Sequence, residues 1–341
     1  MDALASLLNG PRAQGAFLLR SMLTAPWSMR IHDEAPLTVV AVVRGHAWIA
    51  LDRGESQRLT AGDVAIVRGP DHYRVSDEPD TQPQIIIHPG QRCTTPEGRD
   101  LAKEMALGVR TWGNNADAET IMLTGTYQLA GEVSRSLLEA LPALAVIRAD
   151  DVDCPVIPLL ATEIVKDEAG QEAVLDRLLD LLLIAMLRSW FARSGTDAPG
   201  WYRGYRDPVI GHVLCLIYNN PEQPWTVASL AASAGVSRAA LARRFSELIG
   251  EPPMAFLTAW RLSLAADLLC QPEATVGAVA EKVGYGDAFA LSTAFKRVRG
   301  MSPREHRTRA LRREGVGIDG SRHQRAEEGR ATPADPASPP R

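Results

Sequence analysis

The chain has no long hydrophobic run. Its longest uninterrupted apolar stretch, Leu181 to Leu187, is seven residues, whereas a helix crossing a bilayer needs about 20. No membrane partner is therefore expected. Cysteine is sparse: Cys93, Cys154, Cys215 and Cys270 lie far apart, with no C-x-x-C pair. That spacing argues against a structural zinc site and a disulfide scaffold, and fits a reducing compartment. The opening MDALASLLNG begins with an acid and lacks a basic n-region and a cleavage site, so no secretory leader is predicted. The expected location is the cytoplasm. A P-loop, a Ser/His/Asp set and a Cys/His pair are also missing, so no catalytic residues are assigned and a non-enzyme is expected.

What remains is ordinary globular material, 45% hydrophobic and 23% charged, with enough apolar mass for a core. A length of 341 residues predicts two domains. The net charge of −4 conceals an asymmetry. Residues 1–204 carry 19 basic against 27 acidic side chains, residues 205–313 carry 14 against 9, and the last 28 residues carry 4 against 5. A basic block in an acidic chain suits binding to a polyanion.

Between residues 37 and 88, TVVAVV, AWIALD, DVAIV and QIIIH form short β-branched or aromatic runs separated by Gly-containing turns. This spacing predicts an antiparallel sandwich or barrel. Short helices are expected over 99–111 and 131–140. Residues 172–191, EAVLDRLLDLLLIAMLRSWF, predict a long helix with acids in its first turn. It is apolar almost all round, so one side should pack on the sheet and the other is a candidate surface for a second copy of the chain. Residues 192–204 read as a linker, and the segment after about 314 as a disordered tail.

From Asp207 to Arg313 the chain reads as helical and repeats itself. Thr226-Val227, Leu230-Ala231 and Gly235 recur as Thr275-Val276, Val279-Ala280 and Gly284. Ser237, Leu241, Phe245, Gly250 and Pro253 recur as Asp287, Leu291, Phe295, Gly300 and Pro303. In each copy Thr is positioned to cap a first helix, Gly to stop it with φ > 0, and Ser237 or Asp287 to cap a second. That pattern is a helix-turn-helix, whose second helix enters the DNA major groove. Between the copies, residues 253–272 predict a helix of about 17 residues, roughly 26 Å at 1.5 Å per residue. Such a spacer can hold two recognition helices about one turn of DNA (~34 Å) apart.

Residues 207–307 resemble the DNA-binding domain of AraC/XylS-type transcription regulators through DPVIGHVLCLIYNNPEQPWTVASLA, GVSRAALARRFSELIGEPPMAFLTAWRL, AADLL and VAEKVGYGDAFALSTAFKRVRGMSPREHR. Residues 26–90 resemble, more loosely, a cupin-like ligand-binding domain through APWSMRIH, VVRGHAWIALD and LTAGDVAIVRGPDHYRVSD, with GTYQLAGEVSRSLLEALP following later. The resemblance implies an α+β two-domain protein. A cupin-like ligand-sensing domain spans 1–170, a dimerisation helix and linker 171–204, and an all-α double helix-turn-helix domain 205–313, with a tail at 314–341. It implies a sequence-specific regulator that binds double-stranded DNA, responds to a small organic effector and forms a homodimer. The alternative is a cupin-type metal enzyme fused to a DNA-binding tail.

For DNA, the resemblance points to Ser237, Arg238, Ala239, Ala242, Arg243 and Arg244 in the first copy. In the second it points to Asp287, Ala288, Phe289, Ser292, Thr293, Lys296 and Arg297. Arg238, Arg244, Lys296, Arg297 and Arg299 read as phosphate or surface charges, and Arg261 as a structural ion-pair partner. Relatives carry arginine where Thr293 stands, while Arg243 is retained. Arginine bridges guanine O6 and N7 and threonine does not, so the first copy is expected to carry most of the base readout. In the barrel, His32, His46, Trp48 and His72 are the ligand-pocket candidates, with Arg30 and Arg44 behind them. The cupin metal pattern of His-x-His, Glu and a later His is incomplete here: Asp33 and Glu34 follow His32, and Gly69-x-x-His72 keeps only the second part. A metal-free organic pocket without a cofactor is expected.

Overall fold

The computed structural model describes residues 17–127, 132–152, 154–193 and 198–310. The expected tail and the middle of the expected linker lie outside the described residues. The N-terminal half is built from thirteen described strands. They are β1 (Phe17–Leu23), β2 (Ser28–Ile31), β3 (Leu37–Arg44), β4 (His46–Leu51), β5 (Gln57–Thr60), β6 (Val64–Arg68), β7 (Tyr73–Ser76), β8 (Ile85–Ile87), β9 (Cys93–Thr94), β10 (Ala106–Gly108), β11 (Thr111–Gly113), β12 (Thr120–Tyr127) and β13 (Leu144–Ile147). One sheet runs β10-β11-β1-β12-β3-β6-β13 and the other β5-β4-β7-β2-β8-β9. Both are mixed rather than antiparallel throughout, because β1 pairs with β11, and β2 with β8, in parallel.

Strand β3 shows why the run TVVAVV is apolar on both faces. Val40 and Val42 point between the sheets, into a core with Trp27, Ile49 and Val75. Leu37, Val39 and Ala41 point the other way, into a core closed by helices. Successive strand residues face opposite sides, so a strand covered on both sides reads as a nearly continuous apolar run, with Thr38 the buried polar exception in β3. The covering helices are α1 (Glu132–Glu139), α2 (Val156–Glu163) and α3 (Gln171–Arg193).

Helix α3 buries Leu175, Leu179, Leu182, Leu183, Met186, Leu187 and Phe191. It presses on β12 so closely that a Cβ on Gly125 would stand 2.7 Å from Leu179 Cδ2. The Tyr127 hydroxyl donates to the Leu179 carbonyl at 2.8 Å. The opposite side leaves Val174 and Leu181 exposed, at 43% and 50%.

The helix expected over 99–111 does not form. Leu101 and Met105 make a single turn, with the Met105 N–H on the Leu101 carbonyl at 3.1 Å, and both side chains enter the inter-sheet core. The chain then becomes β10 and β11, because β11 completes the ladder beside β1. Pairing with a distant strand outweighs local helix propensity here.

Asp63 locks one end of the barrel. Its carboxylate accepts the backbone N–H groups of Thr60 (2.9 Å) and Ala149 (2.8 Å), the Thr60 hydroxyl (3.0 Å) and Arg148 Nη1 (3.1 Å). Burial pushes the acid upward, but the donors outweigh it and hold the carboxyl below its usual range. A lowered folded pKa gives stability that is present above the unfolded value, near pH 3.8, and is lost as pH falls through the folded value. Asp63→Asn should cost about 1–3 kcal/mol at neutral pH. In urea titrations, its difference from the parent chain should narrow below about pH 4. A difference that stays constant down to pH 2 would contradict this role.

The C-terminal half is helical: α4 (Gly200–Tyr205), α5 (Pro208–Asn219), α6 (Val227–Ser233), α7 (Arg238–Ile249), α8 (Pro253–Leu269), α9 (Val276–Lys282), α10 (Ala288–Arg299) and α11 (303–310). Helix α8 serves two cores. Leu257 and Trp260 join Leu230, Leu241 and Phe245, whereas Leu262, Ala265 and Leu269 join Val279, Leu291 and Phe295. Two cores on different faces explain why α8 shows no single apolar stripe.

Candidate nucleic-acid interface

The repeat folds as its spacing predicts. The Thr226 hydroxyl accepts the Ser229 N–H at 3.0 Å, and Ser229 Oγ accepts the Thr226 N–H at 2.9 Å. Thr275 accepts the Ala278 N–H at 3.2 Å. Gly235 and Gly284 take φ of 68° and 78° in the turns, a region that costs a residue with a Cβ. Ser237 then caps α7 through the Ala240 N–H at 3.2 Å, and Asp287 caps α10 through the Ala290 N–H at 2.7 Å. These caps fix the first turn of α7 and of α10.

Helix α7 buries Leu241 and Phe245 and turns its other side outward. Arg238, Ala239, Arg243 and Arg244 are exposed there, with Ala242 half-buried. The Arg243 side chain is 77% exposed, and its Nε stands 3.9 Å from Glu247 Oε1. An exposed pair at that distance holds the guanidinium only weakly. Arg244 is different: its Nε donates to Asp207 Oδ2 at 2.8 Å, while Asp207 Oδ1 caps α5 through the N–H groups of Val209 and Ile210 at 3.0 Å. Burial would raise the Asp207 acid, but those donors and Arg244 hold it below the usual range. Arg244 thus ties α7 to α5.

On α10, Asp287, Ala288, Phe289, Thr293, Lys296 and Arg297 are exposed and Ser292 is half-buried. The Ser292 hydroxyl donates back to the Ala288 carbonyl at 2.7 Å. Phe289 is 81% exposed. Arg299 lies over the Phe295 ring at 5.5 Å and donates to Ser263 Oγ at 3.2 Å. Arg261 departs from the ion-pair expectation. Its Nε donates to the Pro221 carbonyl at 2.7 Å and its Nη2 to the Gln223 carbonyl at 2.6 Å. It clamps the turn before α6 to α8 through two main-chain carbonyls.

The four barrel candidates do not converge. His32 and His72 stack with ring centroids 4.1 Å apart, and His88, which the sequence pattern did not single out, meets His32 edge-on at 6.5 Å. Burial first, and then the neighbouring His72, lower the His32 pKa. His46 and Trp48 alternate with buried Ala47 and Ile49 on β4, so they point to the outer face of the sheet. There His46 Nε2 lies 3.8 Å from Glu78. The inter-sheet space is filled by Trp27, Met29, Ile31 and Ile49. Imidazole lone pairs lie in the ring planes, so near-parallel stacked rings do not aim at one ion. Among the described residues, no group of three His, Cys, Asp or Glu is arranged to hold a metal. Arg30 pairs with Asp52 at 3.0 Å, and Arg44 donates to the Ala118 carbonyl.

The linker reading missed a junction. Trp201 and Tyr202 of α4 pack on Phe191 of α3 at 5.4 and 5.3 Å. Gly200 meets the Ile249 backbone, and Arg203 donates to the Leu248 carbonyl at 3.3 Å. Two adjacent aromatics inside a Gly/Pro/Ser segment were the available signal.

Comparison with known proteins places these features. Residues 2–192 match the cupin family, and residues 230–309 a helix-turn-helix domain. An AraC-like transcription regulator of Streptomyces lividans is 28% identical over 312 residues, covering 90% of this chain and 98% of the relative. The transcriptional regulator AlkR of Acinetobacter baylyi is 27% identical over 313 residues, covering 90% and 99%. Among solved structures, the DNA-binding domain of AdpA in complex with a target DNA is 34% identical, covers 31% of this chain and 96% of that one, and has a TM-score of 0.30. No helix among the described residues is long and apolar enough to cross a membrane.

Proposed function

The chain belongs to the AraC-type DNA-binding transcription regulators with an N-terminal cupin domain, and on that premise we propose how its parts divide the work. Double-stranded DNA is the partner of the C-terminal repeat. Helix α7 carries most of the base readout through Arg243, assisted by Arg238, Ala239 and Ala242. Helix α10 adds affinity through Lys296 and Arg297 and apolar contact through Ala288 and Phe289. The observation carrying this reading is the pair of capped, outward-facing helices joined by α8, about 26 Å long. A bound site should hold two direct elements about one helical turn apart. Genome-wide mapping of bound sites, followed by gel shifts on one of them, tests this. A correctly folded full chain that shifts none of the mapped sequences in dilute buffer would overturn it.

Residues 1–170 form the sensing unit for a small organic effector, 171–204 the dimerisation helix and linker, and 205–313 the DNA-binding unit. Support for control comes from the junction: α3 packs on the cupin sheet, Phe191 holds Trp201 and Tyr202, and α4 packs on the end of α7. An effector acts by binding one arrangement of this junction more tightly than another. The exposed Val174 and Leu181 support a homodimer through the outer side of α3. Light scattering that returns a monomer at micromolar concentration would remove that part. The relatives matched over nearly the whole chain are regulators, which leaves the metal-enzyme reading without support.

A further inference from the structure

We propose that the outer face of the six-stranded sheet carries a binding site for a small organic anion bearing carboxylate or phosphate groups. A cavity of about 460 Å³ opens there, lined among others by Arg30, Arg53, Arg74, Asp52, Ser56 and Gln82. Its size falls within the range of small-molecule sites. The three arginines arrive from three places: Arg30 on β2, Arg74 on β7, and Arg53 in the turn between β4 and β5. Arg30 and Arg74 are direct cross-strand partners, a like-charge pairing that costs stability unless something neutralises it.

The chain itself neutralises little of it. Asp52 is the one carboxylate among the lining residues, and it pairs with Arg30 at 3.0 Å in a geometry with both side chains more than 40% exposed. Such a pair is weak and exchangeable. Arg74 donates to the Pro79 carbonyl, which carries no formal charge. Arg53 has no hydrogen-bond or ion-pair partner among the described residues. A net positive cavity thus sits on a domain whose residues are acidic in sum, 19 basic against 27 acidic over 1–204. Guanidinium forks match planar carboxylate and phosphate oxygens in pairs. Ser56 and Gln82 offer neutral hydrogen bonds to the ligand's remaining oxygens. The concavity suits a small molecule rather than an extended chain. Where the effector reading above holds, this is the port for the effector's acidic groups, a role that rests on that reading.

Calorimetric titration of the full chain with citrate, and separately with inorganic phosphate, tests the site at an ionic strength held constant with chloride. Saturable binding of one citrate per chain is expected. Arg53→Ala should weaken it about tenfold, the scale of one charge-assisted hydrogen bond. Asp52→Asn should strengthen it several-fold, a sign that damaged folding does not produce. Tighter binding of phosphate than of citrate selects a phosphate-bearing ligand, and the reverse a polycarboxylate. Heats no larger than those with chloride, or an unchanged affinity in Arg53→Ala, overturn the site. Citrate binding that leaves DNA affinity unchanged keeps the site and removes its effector role.

Discussion

Arg243→Ala should flatten the protein's preference among DNA sites, lowering discrimination at one base pair by about 1–3 kcal/mol, roughly tenfold to a hundredfold. The guanidinium is 77% exposed, with Glu247 at 3.9 Å as its ion-pair partner among the described residues, and is mounted on a helix whose start is fixed by Ser237. Removing it therefore alters the DNA-facing surface and leaves the fold intact. Thr293→Ala at the corresponding position of the second copy should change site preference far less, because a threonine hydroxyl does not bridge two guanine acceptors. Selection of bound sequences from a randomised pool, run side by side for the two variants, reads the difference. Equal relaxation by both would refute the division of labour between α7 and α10. Arg244→Ala is a control of another kind, since it removes the tie to Asp207 and shifts thermal stability as well as DNA affinity.

The second large effect is on stability. Phe245 is fully buried in the first helix-turn-helix core, where it meets Phe256 edge-on at 5.6 Å. Phe245→Ala should cost about 3–5 kcal/mol, a large part of the stability of a domain worth about 5–15 kcal/mol in total. DNA binding should fall with it, because α7 loses the contact that seats it against α8. Phe295→Ala should act in the same way on the second core. Phe289→Ala supplies the contrast: that ring is 81% exposed, so its loss should leave the urea midpoint nearly unchanged while weakening DNA binding. A midpoint for Phe245→Ala no lower than that for Phe289→Ala would contradict the core assignment.

The C-terminal half was nearly all legible in the chain, because its determinants are local. A helix cap reaches two or three residues and a turn glycine governs its own φ. A buried face repeats every three or four positions, so Thr226, Gly235, Ser237, Leu241 and Phe245 announce themselves twice. For the candidate site, what was legible is which side of α7 and α10 faces outward, because that follows from which side is buried. What Arg244 and Arg261 do there was not legible, since Asp207 and the 221–223 carbonyls lie 37 to 40 residues away along the chain.

The N-terminal half divides differently. The apolar runs that became β3, β4, β6 and β8 were written in the chain, whereas the other described strands were not singled out by their sequence. The choice between a helix and two strands at 99–111 was made by pairing with β1, at the far end of the chain. The direction of His46 and Trp48 was decided by β4 turning Ala47 and Ile49 into the core, and the meeting of Arg30, Arg53 and Arg74 by strand register. Amino-acid order by itself determined the C-terminal helices, their caps and the two outward-facing helices α7 and α10, because those depend on neighbours within a turn or two. Tertiary structure alone decided which distant polar groups share a cavity and how α3, α4 and α7 join, because those follow from packing between segments with no common sequence period.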